Sequence, residues 1–385
     1  MMTQNNIDTS DPVHKFNALN LPVHRASTLV FESTEAFLSR KSQLYDGYSY
    51  GLYGTPTTRA LEDQVAQIEG GLRSILLPSG LAALTHTLLT LVQSGDQVLV
   101  ADCVYGPVRE FCASTLGRLG VTVDFLPAGA DSIAPFLTSK TRIVVLESPG
   151  SFTMEIQDIA TICAEAHRRE VRVMLDNTWG FGNASMFQHG VDIVCTALSK
   201  YASGHSDVCM GSITVSDDAL YRKLKKFVSG VGSGVSSDDA YLVSRGLSTL
   251  EIRLREHQIR GLELARWLRA RTEVERVINP ADPEDPYHER YDKYFTGGNG
   301  LVSFVLKCNA LPAIARMLDG FKYFKIGASW GGTSSLVALA DLSGIRSLEQ
   351  FPKETYVLRI HIGLEPLEAL YADLDAGFGR FNNAP

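Results

Sequence analysis

The segment Ala197-Leu198-Ser199-Lys200-Tyr201-Ala202-Ser203-Gly204-His205-Ser206-Asp207 sets a lysine among small residues. Upstream, the apolar run Val171-Arg172-Val173-Met174-Leu175 ends on Asp176 and continues Asn177-Thr178-Trp179. A lysine amine can condense with an aldehyde. A carboxylate held against a pyridine nitrogen keeps that ring protonated and able to accept electrons. These are the two protein groups that pyridoxal phosphate requires. Lysines are mostly solvated, so a surface lysine and an ordinary strand-end aspartate account for the pair alone equally well.

Three further positions have residue types suited to such a site. Ser79-Gly80-Leu81 stands between an apolar run and a helical pattern, where glycine lets a phosphate approach the backbone and helix amides face it. A plain turn explains the same residues. Tyr105 follows the run at 97–101 and offers a π face and a phenol able to move protons, although a half-buried loop tyrosine is the commoner case. Arg359 lies inside Val357-Leu358-Arg359-Ile360-His361-Ile362, where a charge is costly unless paired. Alternation puts His361 on the same face, so a solvent-facing edge strand is the competing explanation.

These groups need a scaffold. Strands are expected at 74–77, 97–101, 122–126, 142–146, 171–175, 193–197 and 209–215, and helices at 58–68, 81–92, 108–119, 156–169 and 217–228. Short apolar strands between amphipathic helices predict a sheet covered on both faces, with ligands at the strands' carboxyl ends. Asp176 and Lys200 both follow such ends. One long helix over 238–271, a break at Pro280-Ala281-Asp282-Pro283, then strands at 301–306 and 357–362 and helices at 313–318 and 367–378 predict a smaller α/β domain beyond about residue 245. The first 44 residues are mixed, with one short helix at 34–40.

The 385 residues, 45% of them hydrophobic, suffice for a large core in two domains. A net charge of −7 with interspersed signs argues against a nucleic-acid face. No apolar stretch reaches membrane-spanning length and no signal peptide is recognisable. The six cysteines (103, 112, 163, 195, 209, 308) form no Cys-x-x-Cys pair and read as buried free thiols in a reducing cytoplasm. The nine histidines lack ligand spacing, so no metal is expected.

Ser199-Lys200-Tyr201, Gly204-His205-Ser206-Asp207 and the upstream Asp176-Asn177-Thr178-Trp179 resemble the pyridoxal-phosphate enzymes of cysteine and methionine metabolism, and among them the bacterial β-lyases. The likeness runs from about Tyr50 to Phe378. It recurs at Leu146-Glu147-Ser148-Pro149-Gly150-Ser151, Ser244-Arg245-Gly246-Leu247-Ser248-Thr249-Leu250, Ser329-Trp330-Gly331-Gly332, Arg359-Ile360-His361-Ile362-Gly363-Leu364-Glu365 and Ala372-Asp373-Leu374-Asp375-Ala376-Gly377.

The resemblance implies a type I pyridoxal-phosphate transferase fold. Residues 1–50 would be an arm contacting a partner subunit, 51–245 the large mostly parallel-sheet domain, and 246–385 the smaller C-terminal α/β domain. It further implies pyridoxal 5'-phosphate held by Gly80, Leu81, Tyr105, Asp176, Ser199 and Lys200. Lys200, Tyr105 and Tyr50 would be catalytic, and Arg359, Ser329 and Trp330 would contact substrate. The expected assembly is a homotetramer of dimers with shared sites. The expected reaction is β-elimination from cystathionine or a related cysteine thioether, giving a thiol, pyruvate and ammonia. Alternatives are a lyase for cysteine or other S-conjugates, a γ-lyase or γ-synthase, and a non-catalytic cofactor-binding regulator. Tryptophan at 330 favours β over γ chemistry, since the γ relatives tend to have leucine. Three departures stand out. Leu52 replaces the family's phosphate-binding arginine, Ala197 a hydroxyl residue, and Ser334 a glutamate near the distal substrate site.

Overall fold

The computed structural model describes residues 19–344, 346–348, 351–352 and 354–382. The first eighteen residues of the expected arm lie outside them. Seven strands form one sheet: β1 (Arg73–Leu77), β2 (Gln97–Ala101), β3 (Thr122–Leu126), β4 (Thr141–Glu147), β5 (Arg172–Asp176), β6 (Ile193–Ala197) and β7 (Gly211–Val215), in the order β1-β7-β6-β5-β4-β2-β3. β7 runs antiparallel to both β1 and β6, while the remaining pairs are parallel. Helices cover both faces and all of β2 and β7 is buried, whereas edge strand β3 alternates exposed and half-buried residues. The register sets Glu147 at the end of β4 opposite Asp176 at the end of β5.

Helix starts are locally encoded. Thr55 and Thr58 form a reciprocal cap ahead of Pro56–Glu69. The Ser79 hydroxyl accepts the Ala82 N–H at 3.0 Å, opening Gly80–Leu91. That helix lies across β6 and β7, with its first residues at the sheet's ligand-facing edge.

The second sheet is β8 (Val274–Ile278), β9 (Leu301–Leu306), β10 (Lys325–Ile326), β11 (Leu336–Asp341) and β12 (Tyr356–His361), in the order β10-β11-β12-β9-β8. β12 is thus interior, flanked by antiparallel β11 and β9, and all six of its residues are buried. The edge-strand explanation of Arg359 is thereby overturned. Helices Leu311–Asp319 and Leu367–Asn382 pack on each other over a core that includes Phe304, Phe324, Leu358 and Phe378.

The structure departs from the expected elements in several places, β10, β11 and the helix His288–Tyr294 among them. The single helix at 238–271 is two, Ser237–Leu247 and Leu250–Arg269. The Ser248 and Thr249 hydroxyls turn back to the carbonyls of Arg245 and Gly246, competing with the helical ladder. The helix at 108–119 is a short one, Gly106–Glu110, widening into a π turn over Phe111–Leu116. β8 had no clear signature because Glu275 and Arg276 interrupt its apolar residues.

The helix pair also fixes the lysine loop. A Cβ on Gly246 would lie 2.4 Å from the carbonyl oxygens of both Ala202 and Ser203. Arg253, buried, donates to Tyr201 O and Gly246 O, each at 2.7 Å. Replacing it by methionine takes the donor from the buried Tyr201 carbonyl, whereas Gly246 O keeps the Thr249 N–H and hydroxyl. Arg253→Met is expected to destabilise the protein by roughly 1–3 kcal/mol, seen as an earlier denaturant midpoint. An unchanged midpoint would show that the lysine loop does not depend on this residue.

Candidate active site

A cavity of about 200 Å³ opens at the carboxyl ends of β4, β5 and β6. Ser79, Gly80, Leu81, Tyr105, Glu147, Asp176, Ser199, Lys200, Trp330 and Arg359 line it. The loop between β10 and β11 supplies Ser329, whose hydroxyl accepts from Lys200 Nζ at 2.8 Å. Residues from seven separate stretches of sequence therefore converge.

Four ionisable side chains share this chamber. Burial, and then the Arg359 charge, lower the Lys200 amine to about 8, while Asp176 opposes the shift. Burial raises the Asp176 carboxyl against two bonds from Thr178 to Oδ1, N–H at 3.0 Å and hydroxyl at 2.5 Å. Its Oδ2 has no hydrogen-bond partner among the described residues. Burial lowers the Arg359 guanidinium to about 10, so it stays charged at neutral pH. It donates to Ala328 O at 2.9 Å and lies 4.4 Å above the Phe152 ring, with no carboxylate within ion-pair distance among the described residues. A buried planar fork of this kind is suited to a ligand carboxylate.

The fourth group, Glu147, was not singled out from the sequence. It accepts the Tyr105 N–H at 2.5 Å, tying the tyrosine's backbone to the cavity wall. Burial, and then the adjacent Asp176 carboxylate, push its carboxyl well above the ordinary value. The signal was available: Ile143-Val144-Val145-Leu146-Glu147 ends an apolar strand on a carboxylate as Asp176 does.

The chamber fits pyridoxal phosphate. Lys200 is an amine with depressed basicity facing the cavity. Asp176 keeps one oxygen open for a ring N–H. Gly80 and Leu81 head a helix, so their N–H groups lack intrahelical acceptors and face a phosphate-sized corner. Ser199 lines the same corner, with its hydroxyl donating to Met210 O at 3.2 Å. Tyr105 is 46% exposed, leaving its ring free toward the cavity.

Tyr50 is not brought to this chamber. It lines a separate cavity of about 590 Å³ with Phe31, Phe37, Arg40 and Lys41. Leu52 packs toward Gly234. Of the cysteines, Cys103, Cys112, Cys163 and Cys195 are buried and Cys209 and Cys308 exposed, all unpaired. Among the described residues no side-chain cluster has the arrangement of a metal site, and no helix is long and apolar enough to cross a membrane.

The electrostatics predict how Lys200 titrates in cofactor-free protein. Acylation by an amine reagent, followed by peptide mapping against pH, should be half-maximal near 8. Asp176→Asn removes a stabilising negative charge and should move that point lower. Arg359→Met removes a repelling charge and should move it higher. A half-point at the ordinary lysine value would contradict the geometry.

Comparison with known proteins agrees with this chamber. The chain is 38% identical over 377 residues to a cystathionine beta-lyase of Escherichia coli (strain K12), covering 95% of each chain. It is 37% identical over 395 residues to one of Salmonella typhimurium, covering 98% of this chain and 100% of that one. Among solved structures, a cystathionine gamma synthase from Xanthomonas oryzae pv. oryzae, in complex with aminoacrylate and cysteine, superposes with a TM-score of 0.86 at 26% identity, covering 95% and 94% of the two chains. The architecture is that of the type I pyridoxal-phosphate transferases. Residues 3–379 match the family described as Cys/Met metabolism PLP-dependent enzyme, and the chain belongs to that family, whose cofactor is pyridoxal 5'-phosphate.

Proposed function

We propose that the chain is a carbon–sulfur β-lyase that converts cystathionine or a related cysteine thioether, with water, to a thiol, pyruvate and ammonia. The observation that carries this reading is the chamber itself. An amine of depressed basicity, an open carboxylate and an unpaired guanidinium stand together, with Trp330 5.5 Å from Lys200 Nζ. Relatives named for this activity support it.

Lys200, Asp176, Tyr105, Ser199 and the amides of Gly80 and Leu81 would hold the cofactor, which when bound supplies an electron sink conjugated to the substrate's α-carbon. Arg359 receives the α-carboxylate on its planar fork and so aims the α-hydrogen at Lys200. Lys200 Nζ, which donates to the Ser329 hydroxyl, takes that proton. Asp176 would sit against the ring nitrogen of the bound cofactor, where an ionised carboxylate favours the protonated ring. The β-thiolate then leaves and is protonated by Lys200 or by Tyr105. Packing of Tyr105 through Glu147 keeps the phenol near that path.

A lyase for cysteine or other S-conjugates is the second reading. It is favoured by Ser334, an exposed residue where the family places a glutamate. The reading keeps residues 1–50 as an arm, 51–245 as the large domain and 246–385 as the C-terminal domain. In a homotetramer built from dimers the arm would carry Tyr50 to a partner's site. The exposed apolar side chains of Val30, Phe37, Leu38 and Tyr48 support burial of that arm on assembly. Six unpaired cysteines suit a reducing cytoplasm.

Pyruvate release from cystathionine, cystine, djenkolate and S-alkylcysteines tests the reaction. Pyruvate without 2-oxobutyrate is expected, and 2-oxobutyrate from cystathionine would move the assignment to a γ-lyase. In the same assay Arg359→Lys replaces a planar fork by a point charge. It should raise KM about tenfold or more, with a smaller change in kcat. An unaltered KM would remove Arg359 from substrate binding.

A further inference from the structure

β12 grips the segment between Ala328 and Gly332 at both ends. Arg359 Nη2 donates to Ala328 O at 2.9 Å, and His361, two residues on and on the same face of the strand, meets Gly332 O through Nε2 at 2.9 Å. Between these anchors lie Ser329, which accepts from Lys200, and Trp330, whose ring centre is 5.4 Å from that of Tyr201. The segment has little slack. Gly331 has φ +89°, and a Cβ there would stand 2.7 Å from Tyr201 N and 2.8 Å from Lys200 C.

The protons in this network run in one direction. A carbonyl only accepts, so Nε2 of His361 carries the ring proton and Nδ1 is a lone-pair acceptor. The Tyr201 oxygen accepts the Gly300 N–H at 2.9 Å, which leaves its O–H for Nδ1 at 3.5 Å. A second buried histidine, His257, lies 5.0 Å away ring to ring and donates from Nδ1 to Ile362 O at 3.0 Å. Burial, and then His257, hold His361 down to about 3, so the ring is neutral at working pH.

We propose that His361, in its Nε2–H form and backed by Tyr201, is a positioning residue that holds Ser329 and Trp330 against Lys200. This rests on the assignment of Ser329 and Trp330 to the substrate side. Without His361 the Gly332 carbonyl would lose its donor, and the next clasp after Ala328 would be the Leu364 N–H on Thr333 O at 2.7 Å, a longer span in which the Ser329 hydroxyl can move away from the lysine amine. A core histidine that served packing alone would be replaceable by any ring of similar size.

Two variants of the holoenzyme, His361→Phe and His361→Gln, separate these roles. Phenylalanine keeps a ring but has no donor, whereas glutamine restores an N–H toward Gly332 O. Amide hydrogen exchange over residues 328–333 and steady-state pyruvate release are measured on both. The phenylalanine variant should exchange faster in that segment and lose about tenfold in kcat/KM, and the glutamine variant should return both to within about threefold of the parent. Unchanged exchange at 328–333 in the phenylalanine variant, or a loss that glutamine does not repair, would overturn the proposal. If His361→Phe does not fold, Tyr201→Phe, which removes only the hydroxyl, carries the same test with the same expected direction and the same overturning result. A parent that released no pyruvate would instead discredit the lyase assignment, and the exchange measurement would still decide the role of His361.

Discussion

Two cations and two carboxylates occupy one small chamber, and none is hydrogen-bonded to another. Lys200 is held by a hydroxyl, Arg359 by a carbonyl, Asp176 by Thr178, and Glu147 by a backbone amide. Buried charges normally neutralise each other directly, because removal from water costs several kcal/mol per ion, on the order of the whole stability of a domain. Here they are kept apart by neutral partners, so each remains available to a ligand. That arrangement is what burial at a functional site looks like when the balancing charges arrive with cofactor and substrate. Much of the surrounding structure can be understood as the means of holding four ionisable groups in a cavity without letting them pair.

The sheet does the first part of this work. Parallel strands end together, and the in-register ends of β4 and β5 put Glu147 and Asp176 side by side. The turn after β6 returns as antiparallel β7, so the lysine segment caps the same edge. The C-terminal domain does the second part through one strand. Arg359 and His361 hold Ala328 and Gly332, the Leu364 N–H reaches Thr333 O at 2.7 Å, and Glu365 takes the Ser335 amide and hydroxyl at 2.7 and 2.9 Å. The block Arg359 to Glu365 is therefore a row of clasps along the substrate-side segment.

Local sequence revealed the strands of the large sheet within a residue or two, because uninterrupted apolar runs between helical patterns have few other solutions. Asp176, Lys200 and Arg359 were visible for a related reason: each is a charge in or beside an apolar run, where its cost must be met. Glu147 was equally visible in kind, yet its meaning depends on pairing with β5, which no single strand displays. The break at Ser248-Thr249 was missed since hydroxyls compete with the helical ladder only when tertiary contacts favour it. β8 is mixed in polarity, and what defines it is the neighbouring strand. His361 looked like the companion of Arg359 on a strand face; that it clasps Gly332 follows from the pairing of β12 with β11, which brings the chain just before Leu336 beside His361.

The antiparallel return from β6 to β7 has a temporal consequence. Ser79, Gly80, Tyr105, Glu147, Asp176, Ser199 and Lys200 all precede the end of β7 at Val215, whereas Ser329, Trp330 and Arg359 follow it. A hairpin closes over a short stretch of chain, so β6 and β7 can pair before the helices that brace the lysine loop through Gly246 and Arg253 are made. During synthesis the residues facing the cofactor are all made before the first residue that faces the substrate, and domains tend to fold in that order. The nascent chain can thus complete the half of the site that receives the cofactor while the half that admits an amino acid is still on the ribosome.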